Sequence, residues 1–375
     1  MPLYLNDEQT MLADTAKDFV AEHAPVKHLR ELRDAGDSTG FSRDLWKQFA
    51  EMGFTGILIP ETDGGLGLGN VEAGVVLEEI GRNLSPSPFL STAVAAVEAL
   101  KHSPQRDRWF PGIVSGETVA AIAIDEKAKH GTGIAMKAER SGNGFRLTGS
   151  KQFVTHGHVA DLVLVAARTA GSADDKDGIT LFAVPKDAAN MTADPRRLAD
   201  SSLASHLAFD GVEVDADAVI GEVDQGAGPL RALLSAGRTG ASAEMLGVGG
   251  GAMDMTFDYL KERKQFGAHL GSFQALQHRA AHLYSEMEVA RAAVLKAQQL
   301  LDAGSEEAEG AVSVAKAMTG LATTLAVQEG VQMHGGIGMT DEYDIGFYMK
   351  RARVLAEMFG DANYHADQLA RAAGY

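Results

Sequence analysis

The hydrophobic spacing of this chain changes period twice, and that double change constrains its fold more than any other feature. Up to about residue 115 the apolar residues recur at helical spacing. Met11, Leu12, Ala16, Phe19 and Val20 share one face behind Asn6 and Gln9, which form a capping-box pattern. A second helix is predicted over 42–52, with Leu45, Phe49 and Met52 on one face, and the helical period resumes over 72–82. Between them Ile57-Leu58-Ile59 is a short apolar run ending in a glycine-rich turn. From about 116 to 225 the apolar runs shorten, to 119–124, 162–167 and 179–184, while Phe145-Arg146-Leu147-Thr148-Gly149 alternates. Residues 141–144 have hairpin-turn chemistry and 171–178 form a surface loop, so this stretch is predicted to be a β domain. From about 226 the long period returns, with helices predicted over 237–265, 274–303, 306–333 and from 342 onward. Four long helices with short links suggest a bundle. The expected domains are therefore a helical one at 1–115, a β domain at 116–225 and a helical bundle at 226–375.

Composition removes several function classes. Lys plus Arg total 34 against 51 for Asp plus Glu, a formal charge of -17 that repels nucleic acid and anionic membranes. There is no cysteine, hence no disulfide, thiolate metal site or cysteine nucleophile. The first residues lack the basic and apolar segments of a signal peptide, and no apolar run of membrane-spanning length is evident. A cytoplasmic protein is expected. His278 and His282 lie four apart without a third ligand beside them, so no metal site is expected. Gly249-Gly250-Gly251, inside a predicted helix, points to close helix packing rather than a phosphate loop.

Two segments are more specific. The first is Arg263-Lys264-Gln265-Phe266-Gly267, followed by Phe273-Gln274, with Gln274 eleven residues beyond Arg263. The second is Gln332-Met333-His334-Gly335-Gly336-Ile337-Gly338. Taken singly, Arg263 is an ordinary solvated helix charge, Gly335-Gly336 a turn, and Phe266 and Phe273 core residues. Taken in order, they resemble the flavin-dependent acyl-CoA dehydrogenases. Ile59-Pro60-Glu61 with Gly64-Gly65, the Glu78-Glu79-x-Gly81-Arg82 helix end and Gly149-x-Lys151-x-Phe153-Val154-Thr155 add weaker matches, so the resemblance spans essentially the whole chain. It implies an α+β fold: an N-terminal helical domain, a middle β-barrel-like domain and a C-terminal four-helix bundle. It implies FAD as cofactor, an acyl-CoA substrate, a homo- or hetero-oligomer, and an electron-transfer flavoprotein or similar acceptor. By the same resemblance, Arg263 and Gln274 contact the FAD of a neighbouring subunit, whose adenosine half lies on the segment with Gln332, Gly335 and Gly336, and Phe266 is a further cofactor-binding residue. Thr155 contacts the flavin ring of its own chain. A guanidinium suits two phosphates, and glycine lets backbone approach a ligand closely.

The sequence departs from the family where the chemistry is done. Family members take a proton from Cα with a buried glutamate and pass a hydride from Cβ to the flavin. Phe359 stands at the usual position of that glutamate, and Gly237 at the alternative one, before Arg238. The nearest carboxylates are Glu357, Asp361 and Glu244, whose ordinary roles would be a helix-face charge, a cap and a polar helix contact. The loop that usually reads Thr-Glu-Pro-x-x-Gly-Ser-Asp has become Asp125-Glu126-Lys127-Ala128-Lys129-His130-Gly131-Thr132-Gly133. Parts used on a neighbour's FAD persist, while parts used on the chain's own flavin and substrate are degraded. This resembles the base-lacking partner chains of heteromeric acyl-CoA dehydrogenases that act on bulky thioesters such as steroid side chains. A homomeric dehydrogenase using Asp361 or Glu244, a flavin monooxygenase on the same fold, and a non-enzymatic binder remain as alternatives.

Overall fold

The computed structural model describes residues 2–375. In chain order the helices are α1 (Asp7–His23), α2 (Val26–Asp34), α3 (Arg43–Glu51), α4 (Asn70–Arg82), α5 (Val97–Leu100), α6 (Arg106–Val114), α7 (Ala227–Glu262), α8 (Gln274–Asp302), α9 (Ala308–His334), α10 (Ile345–Glu357) and α11 (Ala362–Ala372). The strands are β1 (Ala120–Ala123), β2 (Lys137–Ser141), β3 (Gly144–Thr155), β4 (Leu162–Arg168), β5 (Ile179–Pro185), β6 (Met191–Arg197), β7 (Leu203–Val214) and β8 (Val219–Ile220), followed by the short pair β9 (Lys264–Gln265) and β10 (Ala268–His269). Helices, then a mixed sheet, then a helical bundle is the α+β architecture expected. The chain divides into two compact units, Met1–Glu31 with Asn70–Ser85 and Arg238–Tyr375, and Leu32–Gly69 with Pro86–Gly237. Both tryptophans, Trp46 and Trp109, fall in the second unit, and all 7 tyrosines in the first.

In the first unit, α1 begins at the predicted capping box: Asn6 Oδ1 accepts from Gln9 N at 2.8 Å and Gln9 Oε1 from Asn6 N at 3.0 Å. α4 and α7 cross through glycine. A Cβ on Gly247 would lie 1.8 Å from Glu78 O, and one on Gly81 2.0 Å from Glu244 O, so the two backbones touch. Gly249, Gly250 and Gly251 all sit inside α7, against Met287, Arg82 and Tyr348 respectively, as close packing requires. An ion-pair network covers the crossing: Arg291 Nη1 donates to Glu78 at 2.6 Å, and Arg82 pairs with Glu78, Glu79 and Asp254.

Two bundle expectations need correction. α7 starts at Ala227, ahead of the predicted 237, because Pro229 falls in its first turn, where a missing N–H costs nothing. The helix predicted from 342 onward is two helices. Phe359 (φ +58°) and Gly360 (φ +106°) leave helical space between α10 and α11. The expectation that no apolar run reaches membrane-spanning length also needs correction: the Ala308–Met339 helix is long and apolar enough to cross a membrane. Its most apolar window is 56% buried within the protein, as in the central helix of a bundle.

In the second unit the strand order is β6-β7-β3-β2-β4-β5-β8, with β1 pairing in parallel to β4. Phe145, Leu147, Val163, Val165, Phe182, Val184, Leu207 and Phe209 supply its core. β2 and β3 join at the predicted hairpin, Ser141 opposite Gly144. The 57–59 run is buried between single 3-10 turns at Phe54–Gly56 and Glu61–Asp63, and is neither strand nor helix. Leu90–Ala96, unassigned from sequence, forms a buried π-helical turn leading into α5. Thr92 Oγ1 both donates to Ala120 O (3.1 Å) and accepts from Ala120 N (2.9 Å), tying this turn to β1.

Candidate functional site

The cofactor residues anticipated in the helical unit gather at one end of the bundle. α7 ends at Glu262, and Arg263 N still bonds Tyr259 O at 2.8 Å. The Arg263 guanidinium is exposed and takes no partner among the described residues. β9 and β10 then form a hairpin whose turn residues Phe266 (φ +54°) and Gly267 (φ +79°) are both left-handed, as a tight two-residue hairpin needs. Phe266 is 92% exposed at the tip, and Gln274, also exposed, opens α8. A large ring held outward in a conformation unfavourable for its type is poised to be covered by something else.

The end of α9 is fastened to the end of α7. The Tyr259 ring lies 4.5 Å from that of His334, and Tyr259 Oη donates to His334 O at 3.4 Å. Tyr343 flanks the imidazole on another side at 4.7 Å. This contact brings the segment Gln332, Gly335 and Gly336 to the same end of the bundle as Arg263 and Gln274. Gly335 adopts φ +65°, ψ -139°, a conformation essentially confined to glycine, and nothing lies within 4 Å of a Cβ built there or on Gly336. Gln332 is exposed beside them. His334 Nδ1 bonds Gly330 O at 2.7 Å, leaving Nε2 buried without a partner. Burial lowers the His334 pKa, so the neutral ring donates through Nδ1 and offers Nε2 as an acceptor. An unpartnered, exposed cation beside open glycine backbone suits a polar, phosphate-bearing ligand such as FAD.

Elsewhere in the same unit lie the usual base position and the nearby carboxylates, while Gly237 closes the last segment of the other unit. Phe359 is half-buried, and its carbonyl accepts from Arg238 Nε and His365 Nε2, each at 3.2 Å. Asp361 is the N-cap of α11, accepting from Tyr364 N at 2.8 Å. Glu244 is buried and paired with Arg351, whose Nε donates at 2.9 Å. Glu357 pairs with Arg353 at 3.0 Å. Gly237 is buried in α7. Arg238 and His365, singled out from the sequence by resemblance alone, help organise this region; Lys316 and Arg351, which also do so, were not picked out from sequence. The one available signal was a lone lysine in the apolar stretch of α9.

The sheet unit carries Thr155, half-buried at the end of β3 and opposite Ala204 of β7. Just before it the β3–β7 register slips between Lys151 and Val154, turning Phe153 (φ +55°) outward. The divergent 125–133 loop is anchored to this strand. Glu126 accepts from Lys151 Nζ (2.8 Å), Met136 N (3.0 Å) and Ala135 N (2.9 Å), and Asp125 Oδ1 meets His130 Nδ1 at 2.9 Å. Lys151 is fully buried, and desolvation pulls its pKa down despite Glu126. The carboxylates of this loop are thus engaged in holding its own shape. Among the described residues no group of three metal-ligating side chains occurs.

Sequence comparison fits the whole of this architecture. The family descriptions "Acyl-CoA dehydrogenase, N-terminal domain", "middle domain" and "C-terminal domain" match residues 6–117, 125–212 and 224–374. Acyl-CoA dehydrogenase IpdE2 of Mycolicibacterium smegmatis is 31% identical over 95% of this chain and 96% of its own length. This chain belongs to the acyl-CoA dehydrogenase family. It is an FAD-dependent oxidoreductase of that family, with the family's fold. Among solved structures, a variant of the Tcur3481-Tcur3483 steroid ACAD superposes with TM-score 0.88 at 30% identity, covering 98% of this chain and 99% of that one. The ChsE4-ChsE5 complex of Mycobacterium tuberculosis gives TM-score 0.91 at 26% identity, covering all of both chains.

Proposed function

We propose that this chain is the base-lacking subunit of a heteromeric acyl-CoA dehydrogenase, completing the FAD site of a partner chain that carries the proton-abstracting glutamate. The observation that carries this reading is Phe359 at the usual base position, with Gly237 at the alternative one. Neither side chain can accept a proton. The carboxylates nearby are committed: Glu244 to Arg351 and Asp361 to the start of α11. Arg263, Phe266, Gln274, Gln332, Gly335 and Gly336 would hold the partner's cofactor, with Thr155 toward a flavin ring on this chain's own side. When bound, FAD takes the hydride from Cβ of the thioester. In this chain Arg263 supplies charge-assisted donors to the phosphates, and the glycine backbone lets the adenosine half approach. Two structurally similar proteins are named as paired chains, one of them a steroid enzyme. A bulky, steroid-like acyl-CoA is therefore the proposed substrate class, with an electron-transfer flavoprotein or similar acceptor and a cytoplasmic setting.

The test is to load the lone chain with FAD and add short, long and steroid-like acyl-CoAs without oxygen. Flavin bleaching should be absent or slower by about 10² to 10⁴ than in the co-expressed pair, the usual cost of losing a general base. Rapid bleaching by the lone chain would overturn the reading, and Asp361→Asn and Glu244→Gln would then identify the base.

A further inference from the structure

Lys316 is the most deeply buried cation of the helical unit, 1% exposed on the inner side of α9. Its Nζ donates to three main-chain carbonyls: Leu355 O at 3.1 Å, Ala356 O at 3.0 Å and Gly360 O at 3.0 Å. The first two belong to the last turn of α10, where carbonyls have no partner within the helix. The third lies beyond the break, in the turn that leads to α11. A single ammonium thus spans the break and answers the negative end of the α10 dipole. Two more carbonyls of the turn are taken: Glu357 O accepts from Gly360 N, and Phe359 O from Arg238 and His365. None of these bonds involves the side chain of residue 359.

We infer that Lys316 is the positioning residue of the 355–361 turn, fixing the backbone of residue 359 through three carbonyls, whatever side chain that residue carries. The assignment does not depend on which chain supplies the base. While the amine is protonated its three N–H bonds match the three carbonyl oxygens, and once it has shed a proton two N–H bonds remain for them. Burial and the Arg238 guanidinium from α7 oppose that proton, while Asp361 ahead of α11 and Glu357 at the end of α10 favour it; together they bring the Lys316 pKa down to about 7. His365 of α11 shares the turn through Phe359 O and Ser313.

This arrangement has a signature that inert packing lacks. In the closed turn the amine sheds its proton at about 7, whereas opened to water it keeps the proton to its ordinary 10.5. Opening takes up a proton throughout that window, so the closed turn gains stability as pH rises from about 7 and holds least below it. The experiment is hydrogen exchange on the FAD-loaded, assembled protein, corrected for the intrinsic pH dependence of exchange. Protection of peptides spanning 355–365 should rise roughly tenfold from about pH 6 to about pH 8, the ratio that a group titrating near 7 gives by linkage. Lys316→Met should lower that protection and abolish the slope, leaving peptides of α1 unchanged. Protection that is flat with pH in the unmodified protein, or equal in the variant, would overturn the assignment. If Lys316→Met does not fold, the pH series on the unmodified protein still decides.

Discussion

At the scale of single residues, the chain separates groups that face outward from groups that hold the protein's own backbone. Arg263 is the clearest of the first kind, an exposed guanidinium without a partner. Arg263→Ala should remove a charge-assisted contact worth about 1.5 to 3 kcal/mol. The FAD content of the assembly should fall, and its melting temperature with it, because a ligand stabilises the state it binds. Unchanged flavin absorbance per mole of protein would show that Arg263 is not a ligand. Lys316, Arg238 and His365 are of the second kind, and Lys316 explains why part of the site was illegible. Arg263, Gln274 and the Gly335-Gly336 pair were readable because their spacing follows motifs of the family. Lys316 was not, because its partners are main-chain carbonyls, which have no residue identity to read.

At the scale of elements, hydrophobic period was enough to find α1, α3, α4, α7, α8 and α9 and the strands β1, β4 and β5. It failed where a backbone turn is imposed by contacts. The break between α10 and α11 carries Phe359 in a left-handed conformation that its residue type does not advertise, and the Leu90–Ala96 π turn goes unassigned from sequence. Glycines in helices divide the same way. Gly247→Ala would drive a methyl to 1.8 Å from Glu78 O, and α4 or α7 must move to admit it. Overpacking of this kind costs about 1 to 3 kcal/mol or more. Gly310→Ala, in α9 with open space around it, should instead stabilise by about 0.5 to 1 kcal/mol through helix propensity. Chemical denaturation of the two variants should shift in opposite directions, and equal destabilisation would contradict the helix crossing described.

At the scale of the whole molecule, the helical unit exposes Phe266, Tyr284, Val289, Leu321 and Met339, each more than half accessible. Side chains of that size at such exposure fit a surface that other chains cover. With FAD present, light scattering at micromolar concentration should find a dimer or a dimer of dimers, and a stable monomer would refute this. Any spectroscopic study of that assembly inherits a division of labour from the placement of the aromatic residues. Tryptophan emission comes wholly from the sheet-bearing unit and tyrosine emission wholly from the helical one. A melting curve followed by tryptophan fluorescence therefore reports nothing directly about the bundle that carries Arg263 and Lys316. Tryptophan excited alone at the red edge of its absorption, and the shorter-wavelength tyrosine band resolved from it in emission, give the protein two native, label-free thermometers, and whether their transitions coincide measures how cooperatively the two units unfold.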